Sequence, residues 1–204
     1  MIITYLIIGF TCLISYQSFQ NQALFSSLAH YPYEEVKKGQ YYRLITGGFV
    51  HGSWEHLLIN MYVLYNFGGI VEVVFKNRYG DIMGGMIFLL LYFTALIVSD
   101  LGTLREHKDN PGFRSVGASG VTSALVFIYV MFDPWLWFIF PPVPAIVFAV
   151  LYVVWSSWAS NNRNDHIDHL AHLYGGVYGV LFMLIAYPGI GSIFLDRLLS
   201  GSPF

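Results

Sequence analysis

Residues 115–132 read SVGASGVTSALVFIYVMF, an uncharged run between Arg114 and Asp133. A membrane-spanning helix needs about 20 mostly apolar residues, and this run comes close to that length. Other uncharged stretches along the chain have the same character, so the sequence predicts an all-α, polytopic membrane protein with six transmembrane helices. The predicted spans are 2–19, 54–75, 82–102, 117–133, 139–158 and 168–189.

The composition excludes an ordinary soluble domain. Apolar residues make up 56% of the chain and aromatic residues 18%, while only 11% are charged, against roughly a quarter in a typical soluble domain. The polar segments between the spans are short, so residues 1–204 are predicted to form a single transmembrane domain with no separate soluble domain. The first span has no basic segment before it and no clear cleavage site, so it is interpreted as an uncleaved anchor.

The charge balance and the cysteine content exclude several classes of function. A formal net charge of −2 at pH 7 argues against a nucleic-acid partner, which needs a basic surface. Cys12 is the only cysteine, which excludes an internal disulfide framework and a thiolate metal cluster. The sequence predicts no cofactor, and the lipid bilayer is the expected surrounding.

Three polar residues lie near the starts of the second and fourth spans. His56 and Asn60 are four residues apart, so on a helix they share one face. Ser119 lies between small residues where a loop meets a helix, which leaves its hydroxyl open to a cavity. Ionisable and polar groups inside a membrane are functional candidates.

The sixth span presents a histidine on a face lined by glycines. Gly175 and Gly179 follow His172 at three and seven residues, and small residues at such spacing let another helix approach closely. Gly120 and Ala124 offer a matching stripe on the fourth span. Packing of these two stripes would bring the histidine beside the serine of the fourth span.

Together these residues supply the parts that acyl transfer requires. Ser119 would be the nucleophile, His172 the base, and His56 with Asn60 the stabilisers of an oxyanion. Each feature also has a plainer interpretation, because a Gly-x-Ser-Gly segment can serve helix packing and a membrane histidine can donate a hydrogen bond between helices. The combination favours catalysis.

Five short motifs occur in order along the chain: Tyr42-Arg43, His51-x4-His56-x3-Asn60, Gly68-Gly69-x-x-Glu72, Gly117-Ala118-Ser119-Gly120, and Ala171-His172-x-x-Gly175-x-x-x-Gly179. On these motifs the sequence resembles the rhomboid family of intramembrane serine proteases over nearly its whole length. The resemblance implies a rhomboid-like six-helix bundle. The substrates that it implies are other transmembrane helices, which must unwind before cleavage and are easier to cut where Gly or Pro weakens the helix.

The resemblance also implies a role for each matching residue. Ser119 and His172 would form a catalytic dyad, and the Ser119 backbone N–H would join His56 and Asn60 in the oxyanion hole. The remaining matches would be supporting residues: His51 an outer hydrogen-bonding group, and Arg43 and Glu72 structural polar anchors.

Ser123 and Asp168 each lie four residues from a member of the predicted dyad. Ser123 occupies the place where many rhomboids have a Tyr or Phe that packs against the base, so His172 is expected to be less well supported. Asp168 lies four residues before His172 and could orient its ring as a third catalytic member. The alternative is a solvated residue at the mouth of the helix.

Two other classes of function also fit the sequence. The first is a zinc-dependent membrane hydrolase of the ceramidase kind, since imidazole and carboxylate groups suit zinc. Its ligands would come from His51, His56, His166, Asp168, His169 and His172. The second is a non-catalytic protein that only binds a transmembrane helix.

The resemblance implies a bacterial inner membrane, a cytoplasmic N-terminus and a site that opens to the extracytoplasmic side. The distribution of basic residues points the other way under the positive-inside rule. Lys76, Arg78 and Arg197 fall on the side predicted to be cytoplasmic, against Lys37, Lys38, Arg43, Arg105, Lys108, Arg114 and Arg163 on the other.

Overall fold

The computed structural model describes residues 1–138, 141–162 and 167–201, with the backbone alone for 161 and 162. In these residues the secondary structure is helical, apart from turns and two isolated bridges, His30 with Ser115 and Trp137 with Pro144. The helices are α1 (Ile2–Gln20), α2 (Gln22–Leu28), α3 (Pro32–Lys38), α4 (Arg43–Thr46), α5 (Trp54–Val63), α6 (Gly69–Tyr79), α7 (Asp81–His107), α8 (Ser119–Phe132), α9 (Ala145–Asn162), α10 (His169–Ala186) and α11 (Ile190–Ser200). A π-helical turn, Leu64–Gly68, joins α5 to α6.

The all-α, polytopic prediction is confirmed. Four helices in the described part of the chain are long and apolar enough to cross a membrane: Ile2–Gln20, Trp54–Tyr79, Asp81–His107 and His169–Ala186. Two shorter apolar helices, Ser119–Phe132 and Ala145–Ser160, correspond to the predicted fourth and fifth spans. The count of six spans stays a prediction.

The short helix α8 is a central helix of the bundle. Its 14 residues extend about 21 Å at 1.5 Å per residue, less than the roughly 30 Å of a bilayer core. All of its side chains except those of Ser119 and Tyr129 are buried. Because α8 contacts protein on nearly every side, its length is not set by the need to span lipid.

The boundaries of three predicted spans differ from the observed helices. The predicted 82–102 span continues to His107, because the polar residues after Leu101 extend the helix instead of starting a loop. The predicted 139–158 span begins at Ala145, just after Pro144, which lacks the backbone donor that a helix interior needs. Residues 139 and 140 lie outside the described part of the chain.

The last predicted span, 168–189, ends at Ala186 because Pro188 and Gly189 follow, and Gly189 has φ +94°. The chain then forms α11 instead of an extended tail. Trp135 Nε1 donates to the carbonyls of Arg197 and Leu198, at 3.2 Å each. These contacts fix α11 near the C-terminal end of α8.

The predicted contact between the small residues of α8 and α10 is confirmed. A Cβ atom at Gly175 would lie 2.7 Å from the carbonyl carbon of Gly120, and one at Gly179 would lie 2.8 Å from Cα of Ala124. Both distances are too short for any side chain, so the two backbones touch. This contact places the beginnings of α8 and α10, where Ser119 and His172 lie, at the same end of the bundle.

Arg43 and Glu72 both make anchoring contacts, as the resemblance implies. The Glu72 carboxylate accepts hydrogen bonds from the Thr4 N–H at 2.8 Å and the Thr4 hydroxyl at 2.7 Å, and it pairs with Lys76 at 2.6 Å. At the other end of the bundle, the Arg43 guanidinium donates to the carbonyls of Ser26 and Ala29, at 2.8 and 2.9 Å. The Glu72 contacts join α1 to α6, and the Arg43 contacts organise the connection between α1 and α5.

Candidate active site

A cavity of about 510 Å³ lies at the end of the bundle where α5, α8, α9 and α10 meet. All four residues that the sequence predicts as catalytic line it: Ser119, His172, His56 and Asn60. They come from three different helices, α8, α10 and α5. The structure therefore brings the predicted set together around one cavity.

Ser119 is the first residue of α8, and the glycine two positions before it makes this start possible. Gly117 has φ +112°, which residues with a side chain rarely adopt. A Cβ atom there would also lie 2.8 Å from Nε2 of His56. The first N–H groups of a helix have no partner within the helix and attract negative charge, so the start of α8 offers backbone donors beside the Ser119 hydroxyl.

Three hydrogen bonds hold the segment that leads into Ser119. The Ser115 N–H donates to the His30 carbonyl at 3.1 Å, and the Gly117 N–H donates to the Gly47 carbonyl at 2.9 Å. The Ala118 N–H donates to Nε2 of the His51 ring at 3.4 Å. The connection between α1 and α5 thus fixes the position of the serine.

His51 is fully buried, and its hydrogen bonds define its tautomer. Since Nε2 accepts from Ala118, Nδ1 carries the proton and donates to Ser15 Oγ at 2.9 Å, while the Ser15 hydroxyl donates to the Phe49 carbonyl at 3.0 Å. Burial, together with the neighbouring His56, lowers the pKa of His51 to about 3, so the ring is neutral. Both ring nitrogens are engaged, which leaves none for the zinc site considered as an alternative.

Asn60 couples α5 to the first turn of α8. Its amide nitrogen donates to the His56 carbonyl at 2.9 Å, and its side-chain oxygen accepts from the Thr122 hydroxyl at 3.1 Å. That hydroxyl also lies 3.1 Å from the carbonyl oxygen of Ser119. These bonds fix the orientation of the Asn60 side chain at the wall of the cavity.

Asp168 caps α10. Its Oδ1 accepts from the Ala171 N–H at 2.9 Å and from the Thr103 hydroxyl at 2.7 Å. Both contacts are those of a helix N-cap that also ties α10 to α7. They favour a structural role for Asp168 over that of a third catalytic member beside His172.

A second, smaller polar cavity also has Ser119 in its lining. It is lined by His30, Asp100 and Asp168, among others, and has a volume of about 10 Å³, roughly the room that one water molecule needs. His30 Nδ1 lies 2.7 Å from Glu35 Oε1 and 4.0 Å from Asp100 Oδ2. Burial acts to lower the pKa of His30, but Asp100 and Glu35 outweigh it, so the pKa is raised above its usual value.

Of the residues considered as zinc ligands, all but one lie in the part of the chain that the structure describes. Within residues 1–138, 141–162 and 167–201, no three His, Cys, Asp or Glu side chains lie close enough together to hold a metal ion. His166, one of the ligands considered, lies outside these ranges.

A model of the Rhomboid domain matches residues 38–189 of the chain. The chain belongs to the rhomboid family. It is similar to the mitochondrial RHOMBOID-like protein 12 of Arabidopsis thaliana, with 29% identity over 131 residues that cover 57% of this chain and 38% of that protein. It is also similar to the rhomboid protease GlpG of Haemophilus influenzae, with 31% identity over 99 residues that cover 48% of this chain and 45% of that protein.

The matches cover less than half the length of either relative. Rhomboid membership and the apolar helices together make this chain an integral membrane protein.

This rhomboid supports His172 with a residue that the sequence analysis missed. Tyr152 of α9 lies with its ring centroid 5.9 Å from that of His172, and the two planes are inclined by only 19°. Its hydroxyl is 2.7 Å from Oγ of Ser123. The expectation that Ser123 leaves His172 less well supported took no account of this ring, which comes from another helix.

Proposed function

We propose that this chain is an intramembrane serine endopeptidase, which hydrolyses peptide bonds in or near the transmembrane helices of membrane-protein substrates. The observation that carries the proposal is the convergence of Ser119, His172, His56 and Asn60 on one cavity. Membership of the rhomboid family, and similarity to a relative named as a rhomboid protease, support the class of reaction.

In the proposed reaction, the Ser119 oxygen attacks the carbonyl carbon of the substrate while His172 takes the hydroxyl proton. The tetrahedral intermediate then collapses, the C–N bond breaks, and His172 gives its proton to the leaving amine. A water molecule then attacks the acyl-enzyme and gives a proton to His172. The ester C–O bond breaks, and His172 returns the proton to the Ser119 oxygen as the product acid leaves. Two residues therefore carry all the proton transfers.

The oxyanion of the intermediate would be held by the Ser119 backbone N–H and the side chains of His56 and Asn60. Such donors are most effective when they are fixed before the reaction begins. The hydrogen bonds of Asn60 to the His56 carbonyl and to Thr122 supply that preorganisation. One N–H of the Asn60 amide is used by the His56 carbonyl, which leaves the second for the substrate.

The test is cleavage of a model transmembrane substrate, with a Gly or Pro near one end of its helix, by purified full-length protein in detergent. We expect wild type to cleave, and Ser119→Ala and His172→Ala each to lose at least about 10³-fold in kcat. His56→Ala and Asn60→Ala should each lose about 10²-fold. Ser192→Ala is the matched control, because Ser192 is an exposed serine on α11 whose hydroxyl donates to the nearby Gly189 carbonyl, and it should cleave like wild type.

Equal cleavage by wild type, Ser119→Ala and His172→Ala would refute the proposal. Activity that survives Ser119→Ala but is lost with a chelator would instead support the zinc hydrolase. If no variant and no wild-type protein cleaves or reacts with a fluorophosphonate probe, the non-catalytic helix-binding alternative would be favoured.

We further propose a bacterial inner-membrane location with the N-terminus in the cytoplasm and the cavity open to the extracytoplasmic side. With six spans, both termini then lie in the cytoplasm. A reporter fused after Phe204 should therefore be active only if it works in the cytoplasm, and an outside-facing reporter would overturn this orientation.

A further inference from the structure

Tyr152 contacts the proposed base directly and is linked to the residue of the proposed nucleophile through Ser123. Its ring lies parallel to the His172 ring, with 5.9 Å between the centroids and 19° between the planes, an offset-stacked arrangement that aromatic rings favour. Tyr152 lies on α9 and His172 on α10. The contact therefore crosses between two helices and limits how far the imidazole can tilt.

The hydroxyl of Tyr152 reaches the turn of α8 that carries the nucleophile. It lies 2.7 Å from Ser123 Oγ, and the Ser123 hydroxyl in turn donates to the carbonyl of Ser119 at 2.8 Å. A serine has one hydroxyl proton, so when that proton goes to Ser119 the Tyr152 hydroxyl must be the donor to Ser123. One side chain thus stacks on the base and is hydrogen-bonded, through Ser123, to the residue of the nucleophile.

The Tyr152 ring is itself held from other sides. Phe148 lies one turn earlier on α9, with its ring centroid 5.5 Å away, and Phe127 of α8 contributes a ring at 5.9 Å. All three aromatic side chains line the same cavity as Ser119 and His172. The hydroxyl end is fixed by a hydrogen bond and the ring face by packing, which leaves Tyr152 little freedom to move.

We propose that Tyr152 is a positioning residue for catalysis: it holds the His172 ring in register with Ser119, and Ser123 is its anchor. The inference rests on the proposed protease function and deepens it. A small residue at position 123 is then a requirement, because a large side chain there would occupy the space that the Tyr152 hydroxyl uses. The helix α9 thereby becomes part of the catalytic arrangement although it supplies no group to the reaction.

The experiment compares variants of the full-length protein in detergent by kcat and KM for a model transmembrane substrate, and by the rate at which Ser119 reacts with a fluorophosphonate probe. Tyr152→Leu removes the ring and should lower kcat and the labelling rate by about 10- to 100-fold, since small misplacements of reacting groups have effects of this size. KM should change less than kcat, because the proposed role of Tyr152 is to position the reacting groups. Trp155→Leu, which removes an aromatic from the same helix outside the cavity lining, should behave like wild type.

The hydrogen bond is tested separately by a double-mutant cycle. Tyr152→Phe keeps the ring and should retain most activity, with a loss of about two- to fivefold, as expected for one hydrogen bond. Ser123→Ala should have a similar effect, and the double variant should be no slower than either single one, because both changes remove the same contact. This cycle also keeps the proposal testable if Tyr152→Leu fails to fold.

A Tyr152→Leu protein that folds and keeps kcat within twofold of wild type would overturn the inference, as would a change confined to KM. Additive effects in the double-mutant cycle would overturn the role of Ser123 as the anchor. Failure of the proposed function would look different: wild type and Ser119→Ala would then be equally inactive or equally active.

Discussion

Two buried histidines flank the segment that leads into Ser119, and they are held in opposite ways. The His51 side chain is 0% exposed and the His30 side chain 1%. His51 accepts a hydrogen bond from the Ala118 N–H through its ring, while His30 accepts one from the Ser115 N–H through its carbonyl. Both therefore help to place the same short segment.

The difference lies in their partners. The His51 ring contacts a hydroxyl and a backbone N–H, which are neutral, and burial lowers its pKa to about 3. The His30 ring is close to the carboxylates of Glu35 and Asp100, and these raise its pKa although burial acts to lower it. Equal burial thus produces a neutral ring in one place and favours a cation in the other, because the partner decides which form is stable.

The largest effect is expected from removing the His30 ring, which pairs with Glu35. The His30→Leu variant leaves the buried Glu35 and the partly buried Asp100 without their partner, which should lower the free energy of unfolding by about 3–5 kcal/mol. The measurement is unfolding in detergent, by heat or by SDS titration. Adding Glu35→Gln should recover part of the loss, because the glutamine can still accept from the Tyr31 N–H without carrying a charge.

If the double variant is as unstable as His30→Leu alone, the buried charge of Glu35 is not the reason that His30 is needed.

A smaller effect is expected at His51, where only neutral hydrogen bonds are lost. The His51→Leu variant leaves the Ala118 N–H and the Ser15 hydroxyl without the ring as a partner. We expect a loss of about 1–3 kcal/mol, the usual cost of an unsatisfied buried polar group. His51→Gln can both donate and accept, so it should lose less. A loss for His51→Leu greater than that for His30→Leu would show that the neutral hydrogen bonds contribute more than the ion pairs.

The sequence was sufficient to predict the contact between α8 and α10, because it depends on local spacing. Gly175 and Gly179 repeat along one face of a helix, as do Gly120 and Ala124, and small residues at that interval allow close packing. The same logic predicted that His56 and Asn60 share a face. Both residues line the cavity.

The partners of the buried rings could not be predicted, because they depend on how distant helices are rotated about their axes. Tyr152 is 29 residues from Ser123 in the chain, and nothing near either residue indicates that their hydroxyls meet. His30 and Asp100 are likewise far apart in sequence but 4.0 Å apart in space. A membrane helix such as α9 is apolar on all sides, so its sequence does not show which face turns inward.

The smallest effect is the dependence of stability on pH. The free energy that each histidine contributes should change with pH in opposite directions. The folded pKa of His51 is depressed to about 3 from an ordinary value of 6.5. Its contribution is therefore complete above pH 6.5 and is lost as the pH falls, by about 1 kcal/mol between pH 6.5 and 5.5. The folded pKa of His30 is raised, so its contribution is present below pH 6.5 and is lost as the pH rises through the raised value.

Unfolding curves at a series of pH values for wild type, His51→Gln and His30→Gln would isolate the two contributions as differences from wild type. The His51 difference should grow as the pH increases from 5.5 to 6.5, because only the folded neutral ring is stabilised. The His30 difference should shrink as the pH increases beyond 6.5, because its favoured form is the cation facing Glu35, Asp100 and Asp168. Difference curves with the same sign of slope would contradict the opposite pKa shifts of the two histidines beside the Ser119 segment.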